Sequence, residues 1–111
     1  MITQVLTKRV SYVGRSLLVI AFGLVPMSGC GGVVYAVSAS GATSSLEEAR
    51  ELNAERLAPF EFYMAEQHLL KAREEAAQGD YGDASDLASD AEEFANKAAR
   101  LAREAHRSAG R

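Results

Sequence analysis

Residues 84–105 read ASDLASDAEEFANKAARLAREA, and their spacing decides the fold. Ala84, Leu87, Ala91, Phe94, Ala98, Leu101 and Ala105 recur at alternating steps of three and four. That period keeps them on one stripe of an α-helix, as in the seam of a coiled coil. Neither glycine nor proline interrupts the run. Large residues alternate with alanine, so a second helix can approach closely while Phe94 and Leu101 fill the gaps. A second row, Ala88, Ala95, Ala99 and Ala102, widens the apolar face beyond what one partner helix covers.

Working toward the N-terminus, Gly79-Asp80-Tyr81 is the clear turn. Gly79 can take the left-handed conformation that ends a helix, and Asp80 can cap the next. Before it, Phe62, Ala65, Leu69, Ala72 and Ala76 repeat the three-and-four seam. The expectation is an all-α fold, an antiparallel helical hairpin over residues 46–109: helix 46–78, turn 79–81, helix 82–108. Facing residues then have numbers that sum to about 160, which sets Phe62 by Ala98 and Leu69 by Ala91.

Ser45 and Glu48 fit a capping box and mark the expected start of the first helix. Pro59 is the breaker within it, since proline lacks the amide proton and crowds the carbonyl of Glu55. One helix kinked near residue 59 is favoured, because no turn residues accompany the proline; two helices with Pro59 in the first turn of the second are the alternative. The hairpin register sets Glu51 and Glu55 alongside Arg103 and Arg107.

Residues 31–45, GGVVYAVSASGATSS, have the composition of a flexible tether, with Val33, Val34, Tyr35 and Val37 as an apolar exception suited to the membrane interface. Just ahead stands Leu24-Val25-Pro26-Met27-Ser28-Gly29-Cys30, ending on the single cysteine. Lys8, Arg9 and Arg15 followed by the nine residues Leu17 to Val25 give the charged-then-apolar order of a secretory signal. Nine residues fall well short of the roughly twenty needed to span a bilayer. The stretch resembles the processing site of bacterial lipoproteins, with Met27 where leucine is usual. That resemblance implies a signal peptide over 1–29, cleavage between Gly29 and Cys30, and acylation of Cys30. Gly31, where an aspartate would resemble an inner-membrane retention signal, favours an outer-membrane location facing the periplasm over the inner membrane.

Loss of residues 1–29 would remove three of the twelve basic residues and none of the fifteen acids, leaving a net charge of −6 where the full chain carries −3. Nucleic acid is thereby excluded as a partner on electrostatic grounds. A folded part of about 65 residues supplies a small core, on the order of 3–5 kcal/mol, so self-association or docking onto another envelope protein is expected. Ala88, Ala95 and Ala102, with Phe60 and Tyr63 beside the proline, are the candidate packing surface.

Chemistry-bearing residues are sparse. His68 and His106 are the only imidazoles, with Glu92 or Glu93 as the expected carboxylate near His68. Asp80, Asp83, Asp86 and Asp90 lack the alternation of a calcium loop and suit capping and a solvated face. No nucleophile, base and orienting group form a set, so no catalytic residue, metal, small-molecule substrate or cofactor is expected beyond the lipid on Cys30. Arg100, Arg103, Arg107 and Arg111 form a basic stripe. It either complements the negative end of the helix or, if the hairpin returns it beside the tether, contacts the anionic membrane surface.

The segments APFEFY (58–63), AEQHLLKA (65–72), Gly79-Asp80-Tyr81 and the alanine-spaced helix 84–105 resemble small envelope lipoproteins of domain of unknown function 4398. That resemblance implies a helical hairpin in the bacterial envelope, with no biochemical role attached. The region around Gly79-Asp80-Tyr81 and Ala84 also resembles half of a tetratricopeptide repeat, a fold that needs several stacked copies and would imply peptide binding. The sequence reading is therefore a non-enzymatic, lipid-anchored structural or accessory module that interacts with protein. Binding of peptidoglycan or anionic lipid is the alternative.

Overall fold

The structure is a computed structural model that describes residues 29–111. It is all-helical, with no strand among the described residues. Four helices follow in order: α1 (Gly29–Glu51), the single turn α2 (Ala54–Leu57), α3 (Pro59–Gln78) and α4 (Tyr81–Ala109). The expected signal peptide, residues 1–29, lies outside the described residues except for Gly29.

The N-terminal segment departs from the expected tether. Residues 31–45 are the body of α1, which runs without a break through Ser45. Glycine and serine weaken a helix by up to about 1 kcal/mol per residue, so local propensity does not account for α1. Packing does. Gly32, Tyr35, Ala39, Ala42, Leu46 and Ala49 recur at the same three-and-four steps as the other seams, and Ala42, Leu46 and Ala49 are buried. Along this seam small residues let α1 approach the alanines of α4. The capping box at Ser45 is consequently not a helix start, and Thr43 Oγ1 instead donates to the carbonyl of Ala39 (2.7 Å).

α1 and α4 run parallel. Gly31 lies against Tyr81, Gly41 against Glu92 and Glu48 against Arg103, while Leu52 meets His106. α3 runs antiparallel to α4: Glu61 pairs with Lys97 (3.4 Å) and His68 lies 3.8 Å from Asp90. Both longer neighbours thus pack on α4 and touch each other less, an up-down-up arrangement of three long helices.

This arrangement corrects the two-helix expectation at its weakest point, the second alanine row. Ala88, Ala95, Ala99 and Ala102 are all buried. With Tyr81, Glu92 and His106 they occupy the side of α4 that α1 covers, so the wide apolar face is filled from within the chain. Ala88, Ala95 and Ala102 are core residues rather than a surface for a partner.

The proline junction is also corrected. Two separate helices meet there, not one kinked helix. α1 ends at Glu51, and Asn53 takes the left-handed conformation (φ 63°, ψ 32°). Asparagine tolerates that region better than most residues. One turn of helix then leads to Ala58, which leaves the helical region at φ −143°, ψ 59°, as proline disfavours a helical residue before it, and Pro59 opens α3. At the other turn, Gly79 (φ 87°) donates to Ala76 O and Asp80 N–H to Glu75 O, both at 3.0 Å, closing a Schellman motif. Asp80 then caps α4 by accepting from the amide of Asp83 (3.3 Å).

Phe62 is the only large side chain buried completely among the described residues. It meets the ring of Tyr63 edge-on at 5.5 Å, and the guanidinium of Arg50 lies 5.5 Å over its ring.

Candidate functional site

Cys30 is the second residue of α1, and its thiol is free and exposed. The opposite side of the same helix is fixed by contacts with α4. A Cβ at Gly31 would stand 3.1 Å from Tyr81 Cβ, and the rings of Tyr35 and Tyr81 lie 6.3 Å apart. At about 100° per residue, Cys30, Val33, Val34 and Val37 share the face turned away from these contacts. The valines are 64%, 57% and 70% exposed. No charged residue occurs from Cys30 to Leu46. Three aspartates of the neighbouring helix are directed elsewhere: Asp90 lies beside His68 of α3, and Asp86 and Asp83 stand one and two turns before it on the same side.

The basic stripe is not near this end. Parallel packing carries α4 away from Cys30, and the 22 residues from Tyr81 to Arg103 span about 33 Å at 1.5 Å per residue. The expectation that Arg100, Arg103, Arg107 and Arg111 return beside Cys30 rested on a flexible segment 30–45, which is a helix. The Gly79–Tyr81 turn lies at the Cys30 end instead, with Tyr81 against Gly31. Two of the arginines are engaged with carboxylates, Arg100 with Glu104 (3.0 Å) and Arg103 with Glu48. Arg107 Nε donates to the carbonyl of Arg103 (3.4 Å), and Arg111 is exposed.

The expected pairing of Glu51 and Glu55 with Arg103 and Arg107 is replaced as well. Because the chain turns at Asn53, Glu48 reaches Arg103, and Glu55 is held by Arg50 (3.2 Å). Arg50 also binds Glu66 of α3 (3.0 Å), tying α1, α2 and α3 together at the junction. The hydrogen bond to Glu55 holds the guanidinium above its ordinary value despite some desolvation, with Glu66 adding to the effect. His106 Nε2 lies 2.8 Å from the carbonyl of Leu52, where it caps the junction between α1 and α2.

Hollows open on the surface of the described residues. One, of about 340 Å³, lies between α1 and α3 and is lined by Thr43, Leu46, Arg50, Glu66, Leu69 and Arg73 among others. The second, also about 340 Å³, is formed by Pro59, Phe60, Tyr63, Met64 and Gln67. Phe60 and Tyr63 are 64% and 52% exposed, and Phe60 meets Phe94 edge-on at 6.5 Å. This apolar hollow sits on α3 about midway along the bundle, beside Phe94 near the middle of α4.

His68 stacks on Phe94 (5.3 Å) with Asp90 as its nearest carboxylate, in place of the expected Glu92 or Glu93. Glu92 faces Gly41 instead. Among the described residues no three histidine, cysteine or acidic side chains are grouped so as to hold a metal. No described helix is long and apolar enough to cross a membrane.

The α1 seam is the functional element that composition concealed. Its signal, the three-and-four spacing from Gly32 to Ala49, was present under the glycine and serine content.

Comparison of the chain with protein-family models, with curated proteins and with solved structures gives no match in any of the three. The likeness to domain of unknown function 4398 therefore rests on residues 58–72 and 79–105 as quoted above.

Proposed function

We propose that the chain is an exported lipoprotein, cleaved after Gly29 and acylated on Cys30. Its mature part is a three-helix module held at the periplasmic face of the outer membrane, a non-enzymatic accessory protein that engages another envelope protein. The observation that carries this reading is the lipoprotein-like stretch Leu24–Cys30, whose cysteine is an exposed thiol at one end of the bundle. Acyl chains attached there meet no protein surface that would have to open.

The same geometry supports a division of labour between the ends. An anchor at Cys30 makes the Gly79–Tyr81 turn membrane-proximal, leaves the Phe60–Tyr63 hollow on the flank of the bundle and presents the arginine end outward. Self-association through the alanine rows loses its basis, because those alanines are core. Exposed aromatic side chains beside an apolar hollow are the usual composition of a protein-binding spot. Anionic lipid as a target of the arginines loses support for the same geometric reason.

Intact-mass measurement of the protein from the membrane fraction of a Gram-negative host tests the anchor. A mature chain beginning at Cys30 and heavier by a diacylglyceryl group is expected, with Cys30→Ala accumulating as the uncleaved precursor. An unmodified Cys30 in a chain that keeps residues 1–29 would overturn the reading.

A further inference from the structure

We infer that the outer stripe of α1, Cys30, Val33, Val34 and Val37, docks along the boundary between lipid headgroups and acyl chains, so that the module rests on the α1 side rather than standing on its end. The inference depends on acylation of Cys30 as proposed above. It adds where the membrane lies against the fold.

Four observations converge on this surface. The three valines share the helix face of the cysteine, within about 11 Å along the axis at 1.5 Å per residue. They are the most exposed aliphatic side chains described, at 57–70%. The segment itself carries no charge until Glu47, and the carboxylate of α4 that reaches this face, Glu92, lies against Gly41, one turn beyond Val37. Asp83, Asp86 and Asp90 point to the α3 side, which keeps the acids away from anionic headgroups.

The acids also decide the tilt. Gly31 lies against Tyr81, so end-on insertion deep enough to bury Val37 would carry Asp80 and Asp83 below the headgroups. Burying an ionised carboxylate in hydrocarbon is strongly unfavourable. Resting on α1 covers the valines and leaves the aspartates of α4 in water, with Glu92 at Gly41 marking the edge of the covered stripe. Thr43, Ser44 and Ser40 follow the valines on α1, and the apolar stripe ends there.

The test uses the full-length chain, processed in cells and reconstituted in vesicles of phosphatidylethanolamine and phosphatidylglycerol. Acylation occupies the Cys30 thiol, so a cysteine introduced by Val34→Cys, Val37→Cys or Asp86→Cys is the only one that takes an environment-sensitive fluorophore. All three positions are at the surface, and helical content by circular dichroism verifies the fold. Interfacial burial should make the probes at 34 and 37 at least about fivefold less quenchable by aqueous iodide than the probe at 86. Equal quenching at all three, with the acyl group present by mass, would overturn the docking while leaving the anchor standing. A chain without the acyl group would overturn the anchor and the docking together.

Discussion

Gly79 and Phe62 show how single residues set this structure. Gly79 holds a left-handed backbone at φ 87°, and a Cβ placed there would meet nothing within 4 Å. The cost of Gly79→Ala is therefore conformational, about 1–2 kcal/mol, read as a lower midpoint in urea with an unchanged slope. Phe62 presents the opposite case. Among the described residues it is the one large side chain with no exposure, in a core otherwise built mainly of alanine. Phe62→Ala should cost about 3–5 kcal/mol, comparable with the whole stability of a module this size, and leave the chain largely unfolded at 37 °C by circular dichroism. The exposed ion pairs weigh less: Arg103→Ala, which frees Glu48, should shift stability by no more than about 1 kcal/mol in the same assay. Residues of the first two kinds were legible in the sequence, since a glycine before aspartate and a phenylalanine on a heptad stripe announce their roles. Asn53 was not, because its left-handed turn is imposed by the packing of the helices on either side and leaves no periodic trace.

Among the elements, α1 carries the main lesson. Its glycines and serines read as a tether, yet the spacing Gly32, Tyr35, Ala39, Ala42, Leu46, Ala49 is a packing seam. Tertiary contact with the alanines of α4 overrode local propensity, as small residues on both helices permit close approach. The widened alanine face of α4 pointed correctly to a missing partner, and that partner is the segment set aside as linker. It follows that amides from Val37 to Ala49 should exchange with solvent as slowly as those of α3; fast exchange up to Ser45 would restore the tether. Ala95→Leu tests the seam from the other side. A leucine at this fully buried alanine overpacks the core, with an expected loss of about 1–3 kcal/mol and faster exchange along α1. The α3 and α4 stripes, by contrast, stood out in the sequence because alanine and leucine there serve propensity and packing at once.

At the scale of the whole molecule, the hydrogen-bonded length of α1 reverses the orientation that a flexible tether implied. A helix from Gly29 to Glu51 cannot fold back, so Cys30 stays beside the Gly79–Tyr81 turn while the arginines and His106 gather at the other end. The sequence contained the lipoprotein-like stretch and the basic stripe but not their relative position, which depends on whether fifteen residues bend or stay straight. Electron–electron distances between spin labels on the acylated full-length chain test this most directly, using the pairs Val34→Cys with Asp86→Cys and Val34→Cys with Arg107→Cys. The account predicts a short, narrow distribution for the first pair and one centred beyond about 30 Å for the second, from 1.5 Å per residue along α4. A second pair as close as the first, or a broad distribution for both, would contradict it.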